Sequence, residues 1–134
     1  MLFRSIVGLT APGGRVTADR LDFKGTDLLN CAAHDRRRLR GGRIAMVLQD
    51  PKFSLNPVMR IGDQIVETLQ AHSKVSNAQA KKQALAALEQ VQIDDPARVY
   101  RLYPHEVSGG MGQRAMIAMM LIANPDLQIG RAHV

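Results

Sequence analysis

From Met111 to Ala123 the chain is apolar almost all round, interrupted only by Gly112, Gln113 and Arg114. Asn124-Pro125 stops the run, and Ser108-Gly109-Gly110 stands directly before it. A helix with so little polar face must be buried, so the rest of the chain has to supply a core around it. The first turn of a helix also presents unpaired backbone N–H groups and the positive end of the macrodipole. Glycines there let an anion approach the backbone, and a serine hydroxyl adds a further hydrogen bond. The same three residues read equally as a serine N-cap followed by loop glycines, which spacing alone favours.

Upstream, the pattern alternates between strand and helix. Val16, Ala18, Leu21 and Phe23 keep a period of two with a slip at Asp19-Arg20, which predicts a strand with an irregularity or a turn there, ending at Lys24-Gly25. His34–Arg40 predicts a short helix stopped by Gly41-Gly42, and Ile44–Leu48 predicts a strand buried on both faces. Gln49-Asp50-Pro51 closes that strand, and Ser54-Leu55-Asn56-Pro57 continues as a loop. Ile61, Ile65 and Leu69 place a helix from about Arg60 to His72. Ser76 is positioned to cap a second helix with a stripe of Leu85, Leu88 and Val91, and Asp94-Asp95-Pro96 opens a third, ended by Tyr103-Pro104. A further core strand is wanted from Leu127, just where the sequence stops. The fold class is α/β.

Composition narrows the function. The single cysteine, Cys31, excludes an internal disulfide framework, no Cys/His cluster has zinc spacing, and together these fit a reducing compartment. No apolar run approaches the length of a membrane span, and no leader is evident. The 18 basic residues against 12 acidic ones give +6, with Arg36-Arg37-Arg38 prominent. Aromatic residues are nearly absent among these cations, so a solvated basic face is favoured over nucleic-acid binding, with acidic lipid contact a minor alternative.

Val107-Ser108-Gly109-Gly110-Met111-Gly112-Gln113-Arg114 resembles the signature motif of ATP-binding cassette (ABC) proteins, and Met46-Val47-Leu48-Gln49-Asp50-Pro51 resembles their Q-loop. With Ser54-Leu55-Asn56-Pro57 and Tyr103-Pro104-His105-Glu106, the chain looks like the ATPase subunits of bacterial dipeptide, oligopeptide and nickel importers over about Ile6–Leu127. The resemblance implies that Ser108, Gly109 and Gly110 contact ATP held by the opposite subunit of a homo- or heterodimer, with Gln113 supporting the helix start. It implies that Gln49 reaches ATP-bound magnesium and the attacking water, and that its loop touches a transmembrane permease subunit. The helices from about residue 60 to 104 would form the helical subdomain that docks there. The protein would then sit peripherally on the cytoplasmic face of the bacterial membrane and drive peptide uptake, with no nucleic acid involved. Val107 replaces the family's leucine.

The family's phosphate loop has no counterpart in this sequence. None of Lys24, Lys52, Lys74, Lys81 and Lys82 follows a glycine, and Gly13-Gly14 and Gly41-Gly42 lead into arginine. After Asn124-Pro125-Asp126-Leu127 comes Gln128-Ile129-Gly130-Arg131, where the family carries an apolar strand ending in Asp-Glu. Residues 1–5 and 128–134 both resemble translated sequencing-library adapter. The expected organisation is therefore a partial ATPase domain over 6–127, without P-loop and Walker B regions, between two non-native tails. Such a chain is expected to be catalytically inactive alone, not to hold ATP and Mg²⁺ stably, and to be poorly soluble or molten. Two rivals are a fragment of a DNA-repair or chromosome ATPase, against which the lack of heptads between Gln49 and Ser108 argues, and a truncated regulatory module that supplies its signature motif in trans. Among the remaining residues, His105 and Glu106 read as loop-shaping, Asp94-Asp95 as a helix start, and Met111, Met116, Met119 and Met120 as core packing.

Overall fold

The computed structural model describes residues 2–40, 42–47 and 55–130. In chain order these form α1 (Leu2–Ile6), β1 (Asp22–Phe23), β2 (Thr26–Asp27), α2 (Ala33–Leu39), β3 (Ile44–Val47), α3 (Ile61–His72), α4 (Asn77–Gln90), α5 (Pro96–Arg101), a 3-10 turn (Pro104–Glu106), α6 (Gly109–Leu121) and β4 (Leu127–Gly130).

The larger core lies among α3, α4, α5 and α6. Ile61, Ile65 and Leu69 recur one helical turn apart and are all buried, as their spacing predicts. The N–H of Ile61 donates to the Leu102 carbonyl at 2.9 Å, tying the start of α3 to the end of α5. Ser76 caps α4 with a complete capping box: its hydroxyl accepts from the Gln79 N–H at 3.3 Å, and Gln79 returns a bond to the Ser76 N–H at 3.4 Å. The buried face of α4 is not the expected stripe, however. Leu88 is fully buried, but Leu85 and Val91 are only half-buried, and Ala80, Ala84 and Ala87 take the inner positions. Small side chains suit a helix packed against three neighbours at once, α3, α5 and α6. Gly62 serves the same close packing, because a Cβ there would stand 2.1 Å from the Tyr100 ring.

α6 likewise departs from the reading of an all-round buried helix. Ala115, Met116, Ala118 and Met119 are enclosed, whereas Ile117 and Met120 are half-buried and Leu121 is exposed. The enclosed methionines are core residues, as expected.

β3 and β4 run parallel, with Ile44 opposite Leu127 and Val47 opposite Gly130. A parallel pair needs a long crossover, and the whole helical unit supplies it. A strand therefore does follow Leu127, through residues expected to be a non-native tail. A smaller core of Val7, Leu28, Leu39 and Ile44 lies beside this sheet.

The strand expected from Val16 is much shorter than its alternation implies: only Asp22–Phe23 pair, antiparallel with Thr26–Asp27. Lys24 and Gly25 both have positive φ, +45° and +83°, the conformation of a tight two-residue hairpin turn. β1 can pair only as far as β2 lasts, and Asp27 ends β2 by accepting from the Leu29 N–H at 2.9 Å and the Asn30 amide at 2.7 Å. Those two bonds, the Asn30 one foremost, hold the Asp27 carboxyl below its usual range.

Asp126 joins the hairpin to the parallel sheet. It accepts from Lys24 in the turn and from Arg43 before β3 at 2.7 Å, and these bonds hold its carboxyl below its usual range. The Arg43 guanidinium also lies 5.9 Å from the centre of the Phe23 ring. In the basic run, Arg37 and Arg38 are exposed as expected, but Arg36 turns inward and donates to the Leu28 carbonyl.

Candidate functional site

The start of α6 combines a fixed backbone with an open surface. Val107 packs on the helical core, and the 3-10 turn before it is closed by Glu106, whose carboxylate accepts from the Tyr103 N–H at 2.8 Å. His105 stacks on Tyr103 with ring centres 5.8 Å apart. Glu106 and His105 therefore shape the loop, as their sequence position suggests.

Ser108 is the N-cap of α6, with extended backbone, and its hydroxyl accepts from the Met111 N–H at 3.3 Å. Its carbonyl accepts from the Gly112 N–H at 2.9 Å. An accepting hydroxyl keeps its own proton free to donate. Gly109 and Gly110 are exposed, and a Cβ built on either would meet nothing within 4 Å. The first-turn amides are thus open to an approaching anion, while the next two are occupied by the cap. Gln113 is half-buried one turn further on. Ser108, Gly109, Gly110 and Gln113 are together at one helix start; Gln49 lies outside the described residues.

Two side chains that position this region are not evident from motif reading. Arg114 donates from Nη1 to the Gln92 carbonyl at 2.7 Å, anchoring α6 to the end of α4. Gln64 is buried on α3 and uses its whole amide: Oε1 accepts from the Asn56 N–H at 2.8 Å, and Nε2 donates to the Asn56 and Met59 carbonyls, each at 2.9 Å. It pins the loop of residues 55–60 against the core. The available signal was a glutamine on the same helical face as Ile61 and Ile65.

Nearby, Tyr100 is pushed above the usual phenol range, by burial first and the Asp63 charge second. Among the described residues there is no group of three or more His, Cys, Asp or Glu placed to hold a metal, and no helix is long and apolar enough to cross a membrane.

This arrangement coincides with a family match: the model described as ABC transporter covers residues 1–130. The chain belongs to the ABC transporter family. It is 52% identical over 107 residues to the probable peptide ABC transporter ATP-binding protein y4tR of Sinorhizobium fredii, covering 80% of this chain and 32% of that one. Against the dipeptide transport ATP-binding protein DppD of Escherichia coli, identity is 43% over 125 residues, 93% of this chain and 38% of that one. The ABC chain thus spans 32% to 38% of the length of these curated relatives, and its sequence resemblance to peptide-transport ATP-binding proteins stands. Among solved structures, the dimeric ATP-binding cassette MJ0796 bound to ADP and Pi aligns with a TM-score of 0.76 at 22% identity, over 87% of this chain and 50% of that one. That likeness establishes the fold, part of an ABC ATPase domain.

Proposed function

We propose that this chain is the central part of an ATPase subunit that powers peptide import through an ABC transporter. In this reading, Ser108, Gly109 and Gly110 serve a nucleotide held by a second subunit. The supporting observation is the start of α6, where two exposed glycine amides and a capped serine with a free hydroxyl proton face open space. A terminal phosphate fits there: the glycine backbone admits it, the macrodipole favours its charge, and the Ser108 hydroxyl donates to it. Gln113 would steady this first turn. When bound, ATP supplies the phosphoanhydride whose hydrolysis drives transport, and Gln49 would contact its magnesium and the water.

Residues 60–104 would form the helical subdomain that docks on transmembrane permease subunits at the cytoplasmic face of the membrane. The pinned loop of residues 55–60 would lie between that docking unit and the Q-loop. We further read residues 1–5 and 128–134 as adapter-derived, which resequencing the locus with unrelated library chemistry would test.

The function is tested by mixing the full chain with a complete peptide-importer ATPase and measuring ATP-dependent association by sedimentation. Association that Ser108→Arg abolishes is the expected result. Phosphate release by the chain alone, or association indifferent to ATP and to Ser108→Arg, would overturn the reading.

A further inference from the structure

A second surface of the molecule has the character of an anion site and lies at the opposite end of α6 from Ser108. A cleft of about 860 Å³ opens between α2, the residues leading into β3, and the end of α3. Arg37, Arg38 and Arg43 line it with His34 and His72, alongside Leu39, Ala71 and Ala123. Because Ala123 follows α6 and Gly109 begins it, the cleft is separated from the signature serine by about 20 Å, the length of that helix at 1.5 Å per residue.

The charges in this cleft differ in how they are used. Arg43 is committed to Asp126, and Arg36 on the same helix is committed to the Leu28 carbonyl. Arg37 and Arg38 have no carboxylate partner among the described residues, although they sit side by side at the cleft wall. Asp35 is the acidic residue of the lining, 3.6 Å from His34 Nδ1. Two adjacent unpaired guanidiniums beside two imidazoles form an array of donors whose planar forks match phosphate oxygens.

We propose that this cleft binds a phosphate-bearing anion, gripped by Arg37 and Arg38, at a site separate from the signature helix. The same chemistry occurs in a soluble phosphate compound and in an anionic lipid headgroup. The site does not depend on the transporter reading, because neither arginine belongs to the signature motif or the Q-loop.

The test uses the full chain, with inorganic pyrophosphate titrated by calorimetry and, separately, phosphatidylglycerol-containing phosphatidylcholine vesicles in a flotation assay. Replacing both arginines (Arg37→Gln with Arg38→Gln) is expected to weaken binding of the effective probe by about tenfold or more. Arg98→Gln with Arg101→Gln removes the same charge from exposed positions on α5 and is expected to change it by less than about twofold. Pyrophosphate binding identifies a soluble ligand and vesicle binding a headgroup, and either result supports the site if the two double variants separate. Equal loss in both double variants means attraction to net charge alone, and no binding of either probe means no site; each overturns the proposal. All four positions are exposed, so circular dichroism is expected to show unchanged helix content in every variant.

Discussion

The two hydrophobic cores of this chain are held together differently. In the helical unit, Ile61, Ile65, Leu88, Val99 and Met116 are essentially sealed from solvent, and four helices share them. Beside the parallel sheet, Val7, Leu28, Leu39 and Ile44 form a much smaller apolar nucleus. There the structure relies on exposed polar ties: Asp126 to Lys24 and Arg43, Arg36 to Leu28, and the Asp27 turn. Apolar burial is strong and indifferent to salt, while exposed ion pairs are weak and screened. The helical unit should therefore be the rigid part, and the sheet side the part that opens first.

The largest expected effect comes from the deeper core. Ile65→Ala should cost about 3–4 kcal/mol in urea unfolding, against about 2 kcal/mol for Leu28→Ala, because a sealed site collapses less around the lost methyl groups. Equal losses would abolish the contrast. Next comes the buried amide: Gln64→Leu takes the side-chain partner from the Asn56 N–H and the Met59 carbonyl and should cost about 2 kcal/mol by the same measurement.

The two serine caps sharpen the comparison between structure and site. Ser76→Ala and Ser108→Ala should each lower stability by about 1 kcal/mol, since each hydroxyl accepts one N3 amide. Only Ser108→Ala is expected to weaken ATP-dependent association with a complete ATPase.

The smallest effect concerns acid. The Asp126 carboxyl lies below its usual range in the folded chain, so its contribution is present above the ordinary carboxylate pKa and is lost as pH falls through the lowered one. Below about pH 4, amide exchange in β1 and β2 should accelerate before that in α3 and α4, and Asp126→Asn should reduce this dependence, the Asp27 carboxyl supplying the remainder.

The same contrast explains what could be read from the sequence. Ile61, Ile65 and Leu69, the Ser76 cap and the Ser108 cap obey local rules of period and capping, and all appear where they were expected. Two of the misreadings show a tertiary neighbour deciding. Val16 and Ala18 alternate like a strand but have no partner strand among the described residues, because the hairpin turn and Asp27 limit the pairing to two residues a side. In α4 the alanines lie innermost because three helices crowd that face, which the greater hydrophobicity of Leu85 and Val91 does not reveal. Gln64 and Arg114 act through backbone groups at sequence distances that no motif specifies.

The parallel pairing of β3 with β4 has a consequence for how the chain folds. Arg43 and Asp126, which flank the two strands, are 83 residues apart. Contacts this distant close slowly, whereas neighbouring helices meet early. During folding α3 to α6 can pack before β4 finds β3, leaving β3 without its strand partner. A folding chain of this kind is most exposed to wrong strand partners in that interval, and the finished helical unit limits the danger by holding the two strand ends close together.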